Sequence, residues 1–330
     1  MRRVGLGAWG GLGQREAMTT HKARALLIVP LCLFAVVTVD AQRGPLPDPV
    51  VRENVTVKLG AHTYAIPDGN VSLVPNIGIV VGSRATLIID TGLGRQNGEV
   101  VMREVAKVSK NKELFFASTH FHVEHTMGYN AFPASAKYIN ATAQEMEFEA
   151  GGLPQVKSFS GFSPAVAARL TDVSRRVADI TFDREYMLDL GGVRVRFMMV
   201  GPTHTRGDTA FFVQGDGVLF AGDVVMNRSF VAANQNSSMK AWLAAFDLFS
   251  TLKPTTIVPA HGDIGPGSVL TTLQAVVKEI GARALALKAQ GRTIDETATT
   301  VQMEFQQKLP SWSRANGVAA LARSAYAEGS

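Results

Sequence analysis

The chain has 330 residues, of which 46% are hydrophobic and 18% charged. This composition excludes a disordered protein and suffices for one large domain or two small ones. The formal net charge is +5, but residues 1–41 supply most of the excess and the remainder carries only +2. A nucleic-acid-binding surface is therefore not expected, because such a surface needs a basic patch on the folded domain.

Residues 1–41 have the layout of an extension followed by a secretory signal peptide. A basic stretch precedes an apolar run, Ala25–Val37, and the small residues Val39 and Ala41 stand before the expected cleavage point. Because the run is shorter than the ~20 residues that span a bilayer, we expect cleavage and a periplasmic or secreted protein without a stable membrane anchor. An uncleaved N-terminal anchor is the alternative. The one cysteine, Cys32, lies in this run, so the mature chain has no thiolate for a disulfide or a metal.

The remainder of the chain begins with strand patterns. Residues 42–54 are rich in proline and are expected to form a linker before a single domain over 55–330. Short strands are expected from Val55 to Ser118, with a hairpin near Gly60 and a helix over 95–110.

Helices and strands then alternate again. The segment 141–180 is expected to be helical, with a break at Gly151-Gly152-Leu153-Pro154. Strands return over 186–200, and a hairpin through Gly215-Asp216-Gly217 follows. A strand is expected at 255–259, and helical spacing covers 239–252, 268–290, 294–307 and 314–327. Strands followed by helices, twice over, predict a layered α/β sandwich.

Histidines and carboxylates follow several of the predicted strands. The densest group is His120-Phe121-His122-Val123-Glu124-His125, before a helix expected to begin near Thr126. Loops at the carboxyl ends of strands can meet at one edge of a sheet, and imidazole and carboxylate suit Zn²⁺, Fe²⁺ or Mn²⁺. His62 has no acidic neighbour and is expected to be structural. Single residues in similar positions elsewhere in the chain are Asp90, His204, Asp223 and His261.

The ordered set IIDTG, THFHVEHTMG, GPTHTRGDT, LFAGD and VPAHG resembles the metallo-β-lactamase superfamily of hydrolases. The resemblance extends from about Asn70 to Gly262. The motif set is similar in particular to that of the periplasmic zinc metallohydrolases linked to sulfur oxidation and quinoprotein systems. It implies an α/β fold, the four-layer αββα sandwich, with the metals at one edge.

The resemblance also implies a site for two metal ions. Asp223 corresponds to a carboxylate that bridges them, and Asp90 to an acidic residue that orients a ligand from behind. Glu124 stands where the superfamily usually has Asp, so it is expected either to bind the second metal or to act mainly as a base for water. The implied ligands of the first metal are His120, His122 and His204, and those of the second are Glu124, His125 and His261.

We therefore expect a hydrolase that cleaves an amide, ester or thioester bond of a small-molecule substrate. A bound Zn²⁺ lowers the pKa of its water to roughly 7, which supplies metal-bound hydroxide at neutral pH. Two zinc ions are the expected cofactors, with Fe²⁺ or Mn²⁺ as alternatives, and Glu124 and Asp223 are the expected catalytic residues. The candidate substrate contacts are Asn227, Arg228, Asn234 and Asn236.

Other functions remain open at this point. The ligand set lacks the cysteine of some β-lactamases, and Asp223 resembles the bridging Asp of glyoxalase- and lactonase-like branches. The main alternative is an iron-dependent sulfur dioxygenase on the same fold, and a metal-binding protein without turnover is a third class. The sequence predicts no oligomeric state.

Overall fold

The structure, a computed structural model, describes residues 47–329. The predicted signal peptide and extension lie outside the described residues. Among the described residues, no helix has the length and apolar character needed to cross a membrane.

Seven strands form the first sheet, and they lie side by side in chain order. Neighbours are antiparallel from β1 to β4 and parallel from β4 to β7. The strands are β1 (Val57–Lys58), β2 (Thr63–Ile66), β3 (Ile77–Val81), β4 (Ala85–Ile89), β5 (Glu113–Ala117), β6 (Lys137–Ala141) and β7 (Ile180–Phe182).

Six strands form the second sheet, in the order β13-β12-β11-β10-β9-β8. The β11–β12 pair is parallel and the other pairs are antiparallel. The strands are β8 (Glu185–Asp189), β9 (Arg194–Met199), β10 (Thr209–Gln214), β11 (Val218–Gly222), β12 (Thr256–Pro259) and β13 (Gly265–Pro266).

Eight α-helices occur in the described part of the chain, and the longer ones cover the outer faces of the two sheets. Local signals start some of them: Ser238 caps α5 by accepting a hydrogen bond from the Ala241 N–H at 3.1 Å, and Thr293 and Glu296 form a capping box on α7. The helices are α1 (Gly94–Val108), α2 (Val123–Thr126), α3 (Thr142–Ser160), α4 (Pro164–Arg169), α5 (Met239–Leu252), α6 (Ser268–Ala289), α7 (Ile294–Lys308) and α8 (Ala315–Glu328).

Three buried cores separate four layers. The period of two along the strands divides each sheet between cores: Leu87 faces the core between the sheets, whereas its neighbour Ile88 packs towards α1. In the second sheet, Phe220 faces the central core and Leu219 packs among α5 to α8. The architecture is therefore the predicted αββα sandwich, which confirms the fold class.

The segment before β1 lies against α1. Val51 is buried, and its N–H donates to Asn97 Oδ1 at 2.9 Å. The Asp48 carboxylate accepts two hydrogen bonds at 2.6 Å from the Arg169 guanidinium. This part of the predicted linker is thus attached to the sandwich by specific contacts.

Two predicted element boundaries are wrong. The predicted break at Gly151-Gly152-Leu153-Pro154 does not occur, because α3 continues through Pro154. Phe148 and Gly152 lie one turn apart on its buried face, and a side chain at Gly152 would collide with the Phe148 ring. Packing on this face therefore outweighs the missing proline N–H.

The helix expected near Thr126 begins earlier, at Val123. His122 has extended backbone, and its carbonyl accepts the His125 N–H at 3.0 Å. Glu124 falls in the first turn, where a carboxylate is favoured by the helix dipole. Glu124 and His125 are thus fixed by helical backbone and do not lie on a free loop.

We expect Trp242→Ala to destabilise the sandwich by about 3–5 kcal/mol, because it removes a fully buried indole from the core under the second sheet. It also leaves the Val224 carbonyl without the indole N–H, which donates to it at 2.9 Å. Urea unfolding measures the change. Met303→Ala on α7, where the side chain is 56% exposed, is the control and should change stability by less than about 0.5 kcal/mol. Equal losses in both variants would contradict this account of the core.

Candidate metal centre

The ends of five strands bring the predicted site residues together at one edge of the sandwich. Each residue follows the carboxyl end of its strand, where the backbone leaves the sheet and the side chain is free to turn inward. Helix α2 adds Glu124 and His125 from the same edge. The five strand-end residues are Asp90 after β4, His120 after β5, His204 after β9, Asp223 after β11 and His261 after β12.

Three histidines form the first cluster. His120 Nε2 lies 3.0 Å from His122 Nδ1, and His204 Nε2 lies 3.3 Å from the same His122 atom. The ligating atoms of all three lie within 4.8 Å of one another. Three ring nitrogens that face one point cannot all satisfy each other by hydrogen bonds, so the arrangement fits a cation at their centre.

The orientation of His204 shows which nitrogen is free to bind. Its Nδ1 lies 2.6 Å from the Ala232 carbonyl oxygen, and since that oxygen can only accept, Nδ1 carries the proton. The lone pair of the neutral ring is then on Nε2, the atom that faces the cluster. Asn234 holds the same loop, because its side-chain amide donates to the His204 carbonyl at 2.7 Å.

Glu124, His125 and His261 form the second cluster, again within 4.8 Å of one another. His125 Nδ1 lies 3.0 Å from Asp90 Oδ2, and His261 Nδ1 donates to the Val74 carbonyl at 2.9 Å. Both rings therefore present Nε2 to the cluster. Asp90 is the residue that was expected to orient a ligand from behind, and the structure places it in contact with His125.

Asp223 lies beside both clusters. Its Oδ2 is 3.6 Å from His204 Nε2 and 3.7 Å from Arg314 Nη1. Its Oδ1 is buried with no hydrogen-bond partner, as are Glu124 Oε2 and His125 Nε2. Unpaired buried polar atoms are costly, and three of them in one place fit a group that binds cations.

The pKa values follow from the crowding of these groups. Burial, reinforced by the neighbouring imidazoles, holds the pKa of His120 and His122 well below the usual value, so both rings are neutral at pH 7. Burial alone would lower the pKa of His125, but the Asp90 carboxylate outweighs it and raises that pKa to about 9. A cation bound by His125 must therefore displace a proton.

Asp223 differs from a normal buried carboxylate. Burial by itself would raise its pKa, but His261, His204 and Arg314 together hold it well below the ordinary value. Asp223 is thus ionised and can act as an anionic ligand at neutral pH.

Three polar residues that the sequence analysis did not assign support the site loops. Buried Asp208 accepts hydrogen bonds from the backbone N–H groups of His204 at 2.6 Å and Thr205 at 2.9 Å. Asp68 accepts from the Gly262 N–H at 2.7 Å, and Asn76 donates to the Gly262 carbonyl at 2.8 Å. Asp208 was inside the motif GPTHTRGDT, whereas no spacing in the sequence pointed to Asp68 or Asn76.

A cleft of about 740 Å³ leads to the two clusters, and His122, Glu124 and His261 lie on its wall. Of the four predicted substrate contacts, Asn227 and Arg228 line this cleft. The other two, Asn234 and Asn236, line a neighbouring hollow of about 390 Å³ that also reaches His122 and His204.

The family model of the metallo-beta-lactamase superfamily matches residues 72–261, and the chain therefore belongs to this superfamily. Human acyl-coenzyme A thioesterase MBLAC2 is 27% identical over 168 residues, which is 47% of this chain and 60% of that protein. The linear primary-alkylsulfatase of Pseudomonas sp. (strain ATCC 19151) is 22% identical over 255 residues, 66% of this chain and 48% of the relative. The chain thus spans only about half to three fifths of these relatives.

Solved structures share the fold at lower identity. A metallo-beta-lactamase from Pontibacter korlensis has a TM-score of 0.54 at 18% identity, covering 68% of this chain and 98% of that one. The sec-alkylsulfatase Pisa1 from Pseudomonas sp. has a TM-score of 0.60 at 13% identity, covering 83% of this chain and 50% of the other. These neighbours confirm the sandwich, and superfamily members such as the named thioesterase and alkylsulfatases are mostly hydrolases.

We expect Asp90→Asn to weaken the second cluster selectively. An amide cannot accept from the Thr119 N–H, the Thr119 hydroxyl and His125 Nδ1 together, so His125 loses its fixed orientation. Zinc affinity at the second cluster should fall about 10- to 100-fold, and affinity at the first cluster should fall less. Competition with a chelator of known zinc affinity measures the affinity of each cluster.

Asp189→Asn is the matched control, because this exposed carboxylate accepts the Gly191 N–H at 2.7 Å in the turn of the β8–β9 hairpin and has Arg84 as its ion-pair partner. It should leave both zinc affinities unchanged. An equal loss at the two clusters in Asp90→Asn would show that Asp90 stabilises the whole edge and does not orient His125.

Proposed function

We propose that the protein is a metal-dependent hydrolase that cleaves an amide, ester or thioester bond in a small molecule. The observation that carries the proposal is the pair of three-residue ligand clusters beside one open cleft. A purely structural zinc site needs only one closed set of four ligands, so two adjacent sets on a cleft favour catalysis.

The residues present fit two divalent ions, and zinc suits a set of imidazole and carboxylate ligands. When bound, such ions polarise a substrate carbonyl and make a nucleophile available from water at neutral pH. His120, His122 and His204 would hold one ion, and Glu124, His125 and His261 the other. Asp223, whose Oδ1 is buried and unpaired, would supply a further carboxylate ligand beside them.

The carboxylates of the site are proposed to direct the attack on the substrate. Ionised Asp223 can accept a hydrogen bond from the attacking water and hold it between the clusters. Glu124 Oε2 is also buried and unpaired, so it is a second acceptor at the site. The helical backbone at Glu124 restricts where its carboxylate can lie. The same side chain on a free loop would be less well positioned.

The curated relatives favour particular bonds. The named human thioesterase supports an ester or thioester among the three bond types. The named alkylsulfatase supports sulfate ester hydrolysis as a second candidate, since the fold match to Pisa1 extends over most of the described domain. Iron in place of zinc, with oxygen uptake, would instead support the sulfur dioxygenase alternative.

We expect His122→Ala to remove most bound metal and at least about 1,000-fold of the turnover, because His122 Nδ1 is the atom that both other rings of the first cluster face. Metal content by mass spectrometry and hydrolysis of a panel of esters, thioesters, lactones, β-lactams and sulfate esters measure the two effects. Addition of a chelator to the unmodified protein should abolish the same activities.

His62→Ala is the matched control. His62 lies in the β1–β2 hairpin, where its Nδ1 contacts the Val81 carbonyl at 2.9 Å, outside both clusters. Metal content and turnover should stay within about twofold of the unmodified protein. Full activity of metal-free protein would rule out the proposed function.

We also propose export to the periplasm or cell exterior, resting on the basic and apolar pattern before Gln42. N-terminal sequencing of the protein secreted by a bacterial host should then begin at Gln42. A chain recovered only from the cytoplasm with residues before Ala41 intact would contradict export.

A further inference from the structure

Two arginines face the cleft from adjacent segments. An isolated bridge pairs Ser229 with Ser313, and the Ser313 hydroxyl lies 2.9 Å from the Ser229 hydroxyl. Arg228 directly precedes one bridge residue and Arg314 directly follows the other, and both line the cleft. The sequence analysis named Arg228 as a candidate contact and did not single out Arg314.

The backbone at both arginines is unusual. Arg228 has φ 53° and Arg314 has φ 62°, in the left-handed region that side chains other than Asn and Asp rarely adopt. Asn70 and Leu73, which also line the cleft, share this conformation. Backbone of this kind concentrates at ligand-binding sites, because the surrounding structure holds a side chain where the ligand needs it.

Neither guanidinium is used elsewhere within residues 47–329. The one ion pair of Arg314 in that range is the 3.7 Å contact with Asp223 Oδ2, and no side-chain hydrogen bond of Arg228 or Arg314 occurs there. Two divalent ions at the clusters would claim the negative charge of Asp223. The Arg314 guanidinium would then face the cleft with its charge unpaired.

The acidic groups of the cleft do not neutralise this charge. Asp68 is buried and accepts hydrogen bonds from the Gly262 and Asn70 N–H groups. Asp263 lines the cleft but lies beyond 4 Å from both guanidinium groups in the described structure. Of the carboxylates that line the cleft, only Asp223 lies within 4 Å of the Arg314 guanidinium, and none lies that close to Arg228.

The cleft is also lined by apolar side chains. Leu73, Phe159 and Met226 line it, and Phe159 lies beside His122 with the ring centroids 6.5 Å apart. A ligand with both an anionic group and an apolar part can thus contact the two kinds of surface at once.

We propose that this cleft selects substrates that carry an anionic oxygen group, a carboxylate or a sulfate, beside the bond that is cleaved, and that Arg314 binds this group with Arg228 beside it. The proposal rests on the proposed hydrolase function, since it names the substrate class of the same site. Guanidinium is suited to the role because its planar fork binds two oxygens of such a group together.

The first test is binding, which needs no turnover. Isothermal titration calorimetry with the zinc-loaded full chain compares benzoate and benzenesulfonate, which are anionic, with neutral benzamide. The anions should bind the unmodified protein at least about tenfold more tightly than benzamide, and the tighter anion identifies the preferred group. Arg314→Asn should remove about 10- to 100-fold of the anion affinity while leaving benzamide unchanged.

The variants are chosen to separate charge from backbone effects. Asn tolerates the left-handed conformation of Arg314, so Arg314→Asn removes the guanidinium without adding strain. Lys253→Asn is the control, because Lys253 has the same conformation, with φ 50°, and is exposed at the end of α5 outside the cleft. It should bind all three compounds as the unmodified protein does.

Arg314→Lys keeps a positive charge beside Asp223 and loses the fork, so it should retain both metals and bind the anions several-fold more weakly. Metal content is measured in every sample. Unchanged anion affinity in Arg314→Asn overturns the proposal, because the anions then bind the metals alone. If the Asn variant loses metal, unchanged anion affinity in Arg314→Lys overturns it instead.

The second test is turnover of matched esters. Hydrolysis of para-nitrophenyl hemisuccinate should exceed that of neutral para-nitrophenyl acetate in kcat/KM, and Arg314→Asn should bring the ratio of the two kcat/KM values close to one. An equal loss on both esters would contradict a role in selecting anions. Failure of the unmodified protein on both esters and on the wider panel would contradict the proposed hydrolase, while the calorimetry would still decide the role of Arg314.

Discussion

The outward hydrogen bonds of the site histidines are the interaction on which the metal centre depends. His204 and His261 each donate Nδ1–H to a backbone carbonyl, and His125 faces the Asp90 carboxylate in the same way. Each bond fixes the direction of the ring, so that Nε2 faces inward. In His125, whose pKa is raised to about 9, that nitrogen carries a proton which a cation must displace. Without these contacts, the same residues at the same edge would be a set of rotating side chains with little affinity for an ion.

The acceptors are rigid because they belong to the sandwich. Ala232 and Val74 are buried, and Asp90 is held by two hydrogen bonds from Thr119, the residue just before His120. Asp90 thus couples the end of β4 to the end of β5 and to α2. The packing of the two sheets therefore fixes the acceptor atoms, and the hydrogen bonds to these atoms fix the ring orientations. No disulfide in the described part of the chain is needed for this arrangement.

The sequence predicted much of this arrangement, and its failures have physical causes. Strands with alternating burial, such as Val195 and Phe197 between arginines, and helices such as α5 were located correctly because local pattern and tertiary burial agree there. Helix α3 was wrongly interrupted, since Gly152 and Pro154 disfavour a helix locally and only the packing of Phe148 reverses that preference. Asp68 and Asn76 left no signal, because the Gly262 backbone groups that they support are nearly 200 residues away.

Backbone strain is concentrated at the site. Seven residues other than glycine have positive φ in the described chain, and four of them line the cleft while a fifth, Asp90, supports His125. Each such residue costs of order 1–3 kcal/mol, and the buried, unpaired atoms of Glu124, His125 and Asp223 add to that cost. The cores between the layers must offset this cost. Bound cations would recover part of it, because they would pair with the buried carboxylates and imidazoles. The same residues therefore determine both the stability of this edge and its capacity to bind metal.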